Sequence, residues 1–344
     1  MIDLQILIST LLASIMKTVF VSDLKEGDAV DEIFAVASKG SLTKYKAKSG
    51  KWFDLFLSDK TGKIKSKFWG NVDEDLTEEI YNSFSVGDIV SVTGKIKGYQ
   101  GKSELNIDLK SGDHINLFDK DAISLEDFMK KSTRDIPQMI TELRHIVSEI
   151  DNEHVKKLLE SFANDDEFMM KRYSQAPAGK TWHHDFVGGL LEHVLSLIAM
   201  SKTIQQSHPE LNLDLLIAAC ILHDIGKVVE YKITTAIEIT TEGRLFGHLS
   251  IGYFMVAQRI SEMSDFPDDL RLRILHMILS HHRELKQGAP VTPMFPEAVA
   301  FALIDDADAQ SQHMVQVVED SKEDWEYERL GSKWNWTKSM DDNQ

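Results

Sequence analysis

The most constraining feature of this chain is an apolar run that ends in an adjacent histidine and aspartate. Residues 213–225 predict a helix that carries His223 and Asp224 in its last turn, with Gly226 directly after it as a C-cap. Burying an imidazole beside a carboxylate near an apolar core is unfavourable unless a partner compensates both groups. A divalent metal ion can do so, because imidazole and carboxylate are common ligands of such ions. The run therefore predicts a helical domain with a metal site.

A second pair, His281-His282, follows another apolar run. A lone buried histidine is more often a satisfied core residue, but two such pairs in one chain favour a metal centre. Paired metal ions usually share a bridging carboxylate, and Asp224 is the candidate for that bridge. The candidate ligands are His193, His223, Asp224, His248, His281, His282 and Asp305.

The first third of the chain shows strand-like patterns instead. Residues 31–37, 51–58, 62–69, 88–97 and 103–109 are rich in β-branched and aromatic residues, and turn residues separate them. A helical stretch, residues 73–84, lies between the third and fourth runs. Five strands with a helix at this place are typical of an OB-fold barrel.

One predicted strand suggests what the barrel binds. In residues 62–69, Ile64 and Phe68 share one face, and Lys65, Lys67 and Trp69 share the other. Lysines can meet phosphates and an indole can stack on a base, so this face suits single-stranded nucleic acid. The alternative is that Trp69 is buried at the barrel edge.

Charge and composition limit the class of protein. The chain has 344 residues, enough for two domains, and a net charge of −17, which argues against a protein that coats nucleic acid by charge alone. Residues 39–67 nevertheless hold nine lysines against two acids, so a local basic surface is expected.

The single cysteine, Cys220, excludes a disulfide within the chain and favours the cytoplasm. The apolar residues 6–16 are too short to span a membrane.

We therefore divide the chain into five segments. Residues 1–16 are an extension, which is either not native or disordered, since the sequence from Met16 reads as a natural start. Residues 17–110 are the OB-fold domain, and 111–135 a linker. Residues 136–318 are an all-α domain with helices at about 137–150, 153–163, 188–206, 213–225, 248–263, 267–281 and 296–318. Residues 319–344 are a tail whose Trp325, Trp334 and Trp336 either pack on their own domain or stack on nucleotides.

The order of the histidine and aspartate motifs resembles a known family. The pieces are GGLLEH ending at His193, LHDIGK containing His223 and Asp224, GH at His248, SHH at residues 280–282, and DDAD beginning at Asp305. This order is similar to the HD superfamily of metal-dependent phosphohydrolases. With an OB-type barrel in front, the chain resembles the YhaM-type 3′-5′ exoribonucleases over residues 17–318.

The resemblance implies a role for each position. One metal would be held by His193, His223, Asp224 and Asp305, and a second by Asp224, His248, His281 and His282. The metals would be two divalent ions, with Mn as the first choice and Co, Fe, Ni, Zn or Mg as alternatives. Lys227 would face a substrate phosphate, and His184 would contact a phosphate or serve as the acid. Glycines 188 and 189 would let the backbone pass close to the cleft.

Two positions leave alternatives open. Arg283 stands where a small residue such as glycine is expected, so it is either a phosphate clamp or a surface arginine. Asp306 and Asp308 lie beside Asp305, which is preferred as the ligand because it matches the family pattern.

The predicted activity is hydrolysis of single-stranded RNA from its 3′ end to nucleoside 5′-monophosphates by a metal-activated water. Single-stranded DNA and a homo-oligomeric state are kept open, and no membrane partner is expected. The alternative is an HD-type phosphodiesterase for a small nucleotide such as a cyclic dinucleotide, although the Gly-Tyr-Pro element of such enzymes does not follow the histidine pair. A nucleic-acid-binding protein without catalysis is a third hypothesis.

Overall fold

A computed structural model describes residues 17–47, 49–70, 73–99, 102–119, 127–180, 184–235, 237–321, 323–328 and 333–338. The chain divides into two compact units, residues 1–130 with 233–236, and residues 131–232 with 237–344. The predicted extension, residues 1–16, lies outside the described residues. Among the helices that are described, none is long and apolar enough to cross a membrane.

The first unit is a closed β-barrel. Its strands run in the order β1-β3-β4-β6-β5, and β5 pairs back onto β1. All these pairs are antiparallel except β4 with β6, which is parallel. The strands are β1 Ala29–Lys39, β2 Thr43–Lys44, β3 Lys51–Asp59, β4 Gly62–Trp69, β5 Ile89–Tyr99, β6 Lys102–Asp108 and β7 Ile115–Leu117, and helix α1, Glu74–Asn82, connects β4 to β5. This topology confirms the predicted OB-fold barrel.

Alternation along β4 forms the barrel interior. Ile64, Ser66 and Phe68 are buried, and the residues between them face outward. Phe68 stacks on Phe53 of β3 with ring centroids 4.8 Å apart, which adds to the free energy gained by burying both rings. The period of two therefore fixes which β4 side chains remain outside.

The predicted linker contains more structure than its charge pattern suggested. β7, Ile115–Leu117, lies within residues 111–135 and pairs with β5. Phe128 is also buried, against Ile33, Ala35 and Ile89 of the barrel. These short apolar contacts lack the periodicity that marks a strand in sequence.

The second unit is helical, as predicted. Asp135, Asn152 and Asn212 cap three of its helices, each accepting hydrogen bonds from first-turn backbone N–H groups. The helices are α2 Ile136–Ser148, α3 Glu153–Ala163, α4 Asp166–Lys171, α5 Gly189–Ser207, α6 Leu213–Leu222, α7 Lys227–Glu230, α8 Thr241–Ser261, α9 Asp268–Ser280 and α10 Pro296–Asp320.

Helix α6 lies at the centre of this unit. Every residue from 215 to 222 is buried, so the helix is apolar on all sides and has other helices around it. A helix in this position delivers the residues at its C-terminus to the middle of the domain.

The predicted ends of two helices were wrong. α6 ends at Leu222, and Gly226 is not a left-handed C-cap, because its φ of −65° is helical and it is the N-cap of α7. The helix predicted from residue 248 begins at Thr241, and it is kinked at Gly247, where φ is 67° and ψ is 155°. His248 is thus the first residue after a break in a longer helix.

Two β-hairpins were not predicted from the sequence. β8, Tyr231–Ile233, pairs with β9, Ile237–Ile239, and β10, Trp325–Glu328, pairs with β11, Lys333–Trp336. In the tail hairpin Trp325 stacks against Trp336, and both rings are more than half exposed. Trp334 packs on Tyr327 instead, with ring centroids 5.2 Å apart. The tail tryptophans therefore lie in a two-stranded ribbon and are not buried in the helical core.

Candidate metal centre

Five helices bring the seven candidate ligands together. His193 lies in the second turn of α5, and Asp305 lies in the middle of α10. His223 and Asp224 follow the central helix α6, while His248 follows the kink in α8. His281 and His282 come directly after α9. The structure gathers these side chains although their sequence positions span more than a hundred residues.

The first group of ligands surrounds one carboxylate oxygen of Asp305. Its Oδ1 lies 3.1 Å from His193 Nε2 and 3.8 Å from His223 Nε2. His223 Nε2 also lies 3.1 Å from Asp224 Oδ2. The donor atoms of His193, His223 and Asp305 fall within 4.8 Å of one another, a spacing that one metal ion can span.

The second group surrounds the other oxygen of Asp224. Its Oδ1 lies 3.5 Å from His248 Nε2 and 3.8 Å from His281 Nε2. Donor atoms of His248, His281 and His282 are again within 4.8 Å of one another. Asp224 thus presents Oδ2 to the first group and Oδ1 to the second, which is the geometry that a bridging carboxylate needs.

Buried polar atoms in this cluster fit a cation. Asp224 Oδ1, His248 Nε2 and His281 Nε2 are buried and have no hydrogen-bond partner among the described residues. Such atoms cost free energy unless something satisfies them, and they all point toward the same space. Divalent ions bound by imidazole and carboxylate would satisfy them.

Backbone carbonyls orient three of the histidines. The Nδ1 of His223 donates to Cys220 O at 3.0 Å, that of His281 to Ile278 O at 2.9 Å, and that of His282 to Gln287 O at 3.0 Å. Because a carbonyl can only accept, each Nδ1 must carry the proton. Nε2 is then the nitrogen with a free lone pair, as a metal ligand requires.

Carboxylates orient the other two histidines. Asp308 Oδ2 accepts a hydrogen bond from His193 Nδ1 at 2.7 Å, and Asp308 Oδ1 accepts one from Ser196. Glu230 Oε2 lies 3.0 Å from His248 Nδ1. Asp308 therefore lies behind His193, on the side away from the cluster.

These two carboxylates differ in how clearly the sequence pattern marks them. Asp308 follows Asp305 by one helical turn, a spacing that marks the same face of α10. Glu230 belongs to no motif that singles it out, so its contact with His248 was not predicted from the sequence.

His184 lies in the same layer as Asp308. Its Nε2 is 3.4 Å from Asp308 Oδ2, its side chain is buried, and its φ is 47°. The carbonyl of His184 packs so closely on α5 that a Cβ at Gly189 would lie 2.0 Å from it. Gly189 therefore permits the close approach of the His184 carbonyl to α5, and the approach of the glycine pair to the cleft stays a prediction.

The electrostatic balance keeps the carboxylates ionised. Burial alone would raise the pKa of Asp224, but the neighbouring His223 and Lys227 hold it well below its usual range. Burial would lower the pKa of His193, yet its hydrogen bonds to Asp305 and Asp308 raise it to about 9. His193 must therefore lose a proton before it can bind a metal, so metal affinity should rise with pH.

A cavity of about 210 Å³ opens onto this cluster. Lys227 Nζ lies 2.5 Å from Asp224 Oδ2 and also donates to the carbonyl of Ala178. Arg283 Nη1 donates to Asp306 Oδ2 at 2.9 Å. The cavity is lined by Asp224, Lys227, His281, His282, Arg283, Gln287, Asp305, Asp306 and Ala309.

The backbone of Arg283 explains why glycine was expected there. Its φ is 66°, in the left-handed region that favours glycine. The chain here accepts an arginine in that conformation, and the ion pair with Asp306 holds its guanidinium at the cavity.

The predicted nucleic-acid face lies on the barrel of the first unit. Trp69 is half-buried, and its Nε1 donates to Asn106 Oδ1 at 2.8 Å. Lys67 Nζ lies 3.9 Å from the ring centroid of Trp52 and 4.4 Å from that of Trp69. Tyr45 lies parallel to Trp69 with centroids 6.2 Å apart. We call Tyr45, Trp52, Lys67 and Trp69 the barrel aromatic cluster; sequence analysis missed its Tyr45 and Trp52.

Several lysines of the basic run have internal partners. Lys65 pairs with Glu104 at 2.9 Å, and Lys51 with Glu78 at 2.5 Å. Lys39 Nζ donates to the carbonyl of Phe84 at 2.6 Å, near the end of α1. The basic surface is therefore weaker than the count of lysines suggests.

Comparisons with known proteins match both units. A family model described as an OB-fold nucleic acid binding domain matches residues 36–111, and one described as an HD domain matches residues 190–310. A protein of Shouchella clausii (strain KSM-K16) is 33% identical over 299 residues, which cover 85% of this chain and 87% of that one. Proteins of Geobacillus sp. (strain WCH70) and Listeria monocytogenes serotype 4b (strain CLIP80459) are 32% and 30% identical and cover 87% and 91% of their own lengths. All three bear the name 3′-5′ exoribonuclease YhaM.

Proposed function

This chain belongs to the YhaM family of 3′-5′ exoribonucleases, and from that membership we propose that it degrades single-stranded RNA from the 3′ end to nucleoside 5′-monophosphates. One observation supports a hydrolytic reaction at this metal centre. Asp224 offers one oxygen to each of two histidine groups at the floor of a cavity. This arrangement suits metal-assisted hydrolysis of a phosphodiester.

We propose that two divalent ions occupy the cluster, with Mn as the first choice and Co, Fe, Ni, Zn or Mg as alternatives. His193, His223, Asp224 and Asp305 would hold one ion, and Asp224, His248, His281 and His282 the other. When bound, such ions supply a water of lowered pKa and positive charge against the phosphate oxygens. The protein itself holds the Nε2 atoms toward the cavity through the hydrogen bonds to Nδ1.

Cationic side chains at the cavity complete the proposed site. Arg283 is about one-third exposed and is fixed by Asp306, so its remaining N–H groups can donate to a phosphate. Lys227 contacts Asp224 and offsets negative charge beside the site of reaction. His184 supports Asp308, and its proposed contribution is to the orientation of His193.

The barrel aromatic cluster is the proposed holding site for the strand. Lys67 lies between two indole rings, its side chain is 20% exposed, and its Nζ is 3.8 Å from Asp54 Oδ1. It would provide a phosphate contact next to stacking surfaces, which single strands use regardless of sequence. A phosphodiesterase for a small nucleotide does not need the barrel aromatic cluster to bind its substrate. Single-stranded DNA as a further substrate, a cytoplasmic setting and a homo-oligomeric state remain proposals from the sequence.

A product ladder tests the proposal. A single-stranded RNA labelled at its 5′ end is incubated with the protein and Mn²⁺, beside a DNA of the same sequence and a cyclic dinucleotide. We expect the labelled RNA to shorten progressively from the 3′ end. Intact RNA together with rapid hydrolysis of the cyclic dinucleotide would establish the small-nucleotide alternative instead.

Asp224→Asn tests the centre itself. Because one oxygen of Asp224 faces each histidine group, the variant should lose bound metal and RNA cleavage together. The exposed Asp265→Asn is the matched control and should keep both. Metal content is read by plasma mass spectrometry after gel filtration. Cleavage by a metal-free Asp224→Asn protein would remove the metal centre from the proposed function.

A further inference from the structure

The segment that carries His248 depends on one side chain, that of Glu230. Helix α8 is interrupted at Gly247, so His248 starts a new helical stretch. The first N–H groups of a helix have no partner in a preceding turn. Here Glu230 Oε1 accepts the backbone N–H of His248 at 3.2 Å. The same carboxylate accepts the ring Nδ1–H through Oε2 at 3.0 Å.

Glu230 can accept both hydrogen bonds from His248 because the backbones of α7 and α8 are in contact. A Cβ on Gly226, at the start of α7, would lie 2.1 Å from the carbonyl oxygen of His248. A Cβ on Gly243 would lie 2.6 Å from the carbonyl oxygen of Glu230. Thr240 N also donates to that oxygen at 2.9 Å. These contacts fix the distance between the Glu230 carboxylate and His248.

Glu230 and Asp308 each orient one histidine, and the two histidines belong to different ligand groups. His223, His281 and His282 are oriented by carbonyls of their own helix or the adjoining loop. His193, in the first ligand group, is oriented by Asp308, and His248, in the second, by Glu230. Each ligand group therefore contains one histidine whose basicity and direction are set by a carboxylate that is not itself a proposed ligand.

We propose that Glu230 is the positioning residue for the second metal position, acting on His248 through both its backbone and its ring. This rests on the proposed two-metal site. Losing the charge of Glu230 should weaken that position and leave the first nearly unchanged, because His193 has its own carboxylate. Losing a residue of this kind typically weakens metal binding about 10- to 100-fold.

The experiment measures Mn²⁺ binding to the full-length protein. Titration by equilibrium dialysis gives the affinity of each ion, and electron paramagnetic resonance distinguishes an isolated Mn²⁺ from a magnetically coupled pair. For Glu230→Gln we expect one affinity to fall about 10- to 100-fold and the coupled signal to give way to that of an isolated ion. Glu262→Gln, at the exposed far end of α8, is the matched control and should behave as wild type.

Three variants, Glu230→Gln, Glu230→Asp and Asp308→Asn, distinguish a residue that positions His248 from one that only stabilises the fold. Glutamine can still accept one hydrogen bond, so a purely structural role predicts a lower melting temperature with both Mn²⁺ affinities retained, and that result would overturn the inference. Glu230→Asp restores the charge and should recover part of the weakened affinity if the carboxylate acts on His248. Asp308→Asn should weaken the other ion, and loss of the same ion in both variants would also contradict the proposed division.

The wild-type titration separates this inference from the proposed function. A wild-type protein that binds a single Mn²⁺ would contradict the two-metal site itself. A wild-type coupled pair that persists unchanged in Glu230→Gln would contradict only the role of Glu230.

Discussion

Asp224 uses its two carboxylate oxygens for different neighbours. Oδ2 lies close to His223 and Lys227, and Oδ1 faces His248 and His281. The carboxyl is buried, and its neighbours His223 and Lys227 keep its pKa well below the usual range even though burial opposes ionisation. A fully ionised, buried and oriented carboxylate is what a bridge between two cations requires.

Two substitutions of Arg283 test its side chain and its backbone conformation separately. Arg283→Ala and Arg283→Gly both remove the guanidinium, so both should lower kcat/KM for RNA by a similar factor if it contacts a phosphate. Their stabilities should differ, because only glycine adopts a φ of 66° without strain. We expect the glycine variant to be more stable than the alanine variant by roughly 1 kcal/mol.

Urea denaturation measures the difference in stability, and initial rates on a short RNA measure the activity. Equal and undiminished rates in both variants would make Arg283 a surface residue without a role in substrate binding. Gln287→Ala, which changes another residue of the cavity lining, controls for a general change in the cavity.

At the scale of elements, the centre depends on how closely α7 and α8 approach. The sequence pattern predicts Gly226 as a helix terminator, but in the structure its importance lies in the absence of a side chain. A Cβ there would meet the His248 carbonyl oxygen at 2.1 Å, far inside van der Waals contact. The helices can therefore pack with His248 close to Asp224 only if residue 226 is glycine.

Gly226→Ala should consequently separate the two helices. We expect a loss of roughly 1–3 kcal/mol in the free energy of unfolding, typical of overpacking, together with weaker binding of one of two Mn²⁺ ions. Gly252→Ala is the matched control, because its Cβ would meet Gly226 N at a milder 3.2 Å. Calorimetry and Mn²⁺ titration report the two effects. A stable Gly226→Ala protein with wild-type metal binding would show that the contact is not needed.

At the scale of the whole molecule, the two units are expected to contribute different parts of the activity. The barrel aromatic cluster should affect the binding of long strands, and the helical cluster should affect cleavage of any phosphodiester. Lys67→Gln and Trp69→Ala should therefore weaken binding of a long single-stranded RNA and spare hydrolysis of a small chromogenic diester. A lost stacking contact is worth about 1–3 kcal/mol per base, or roughly 5- to 150-fold in affinity.

Fluorescence anisotropy at several salt concentrations checks this. Lys67→Gln should also reduce the salt dependence of binding by about one phosphate contact, whereas Trp69→Ala should leave it nearly unchanged. Lys25→Gln, an exposed lysine outside the cluster, is the control. If RNA binding and diester hydrolysis fell equally, the barrel would not be a separate strand-binding module.

The sequence alone determined the two architectures and the identity of the proposed ligands. Both follow from local patterns, since alternation along β4 and the apolar runs before His223 and His281 are properties of neighbouring residues. The ligand types were visible because imidazole and carboxylate at the end of an apolar helix need a partner.

Tertiary structure alone decided how those residues are oriented. Glu230 contacts His248, and Asp308 lies behind His193. Lys67 lies over the ring of Trp52, and each of these contacts joins residues of different elements. The kink at Gly247 likewise appears only in the folded helix. Such contacts depend on how helices and strands pack, because a close approach such as that of Gly226 to His248 exists only after both elements have found their places.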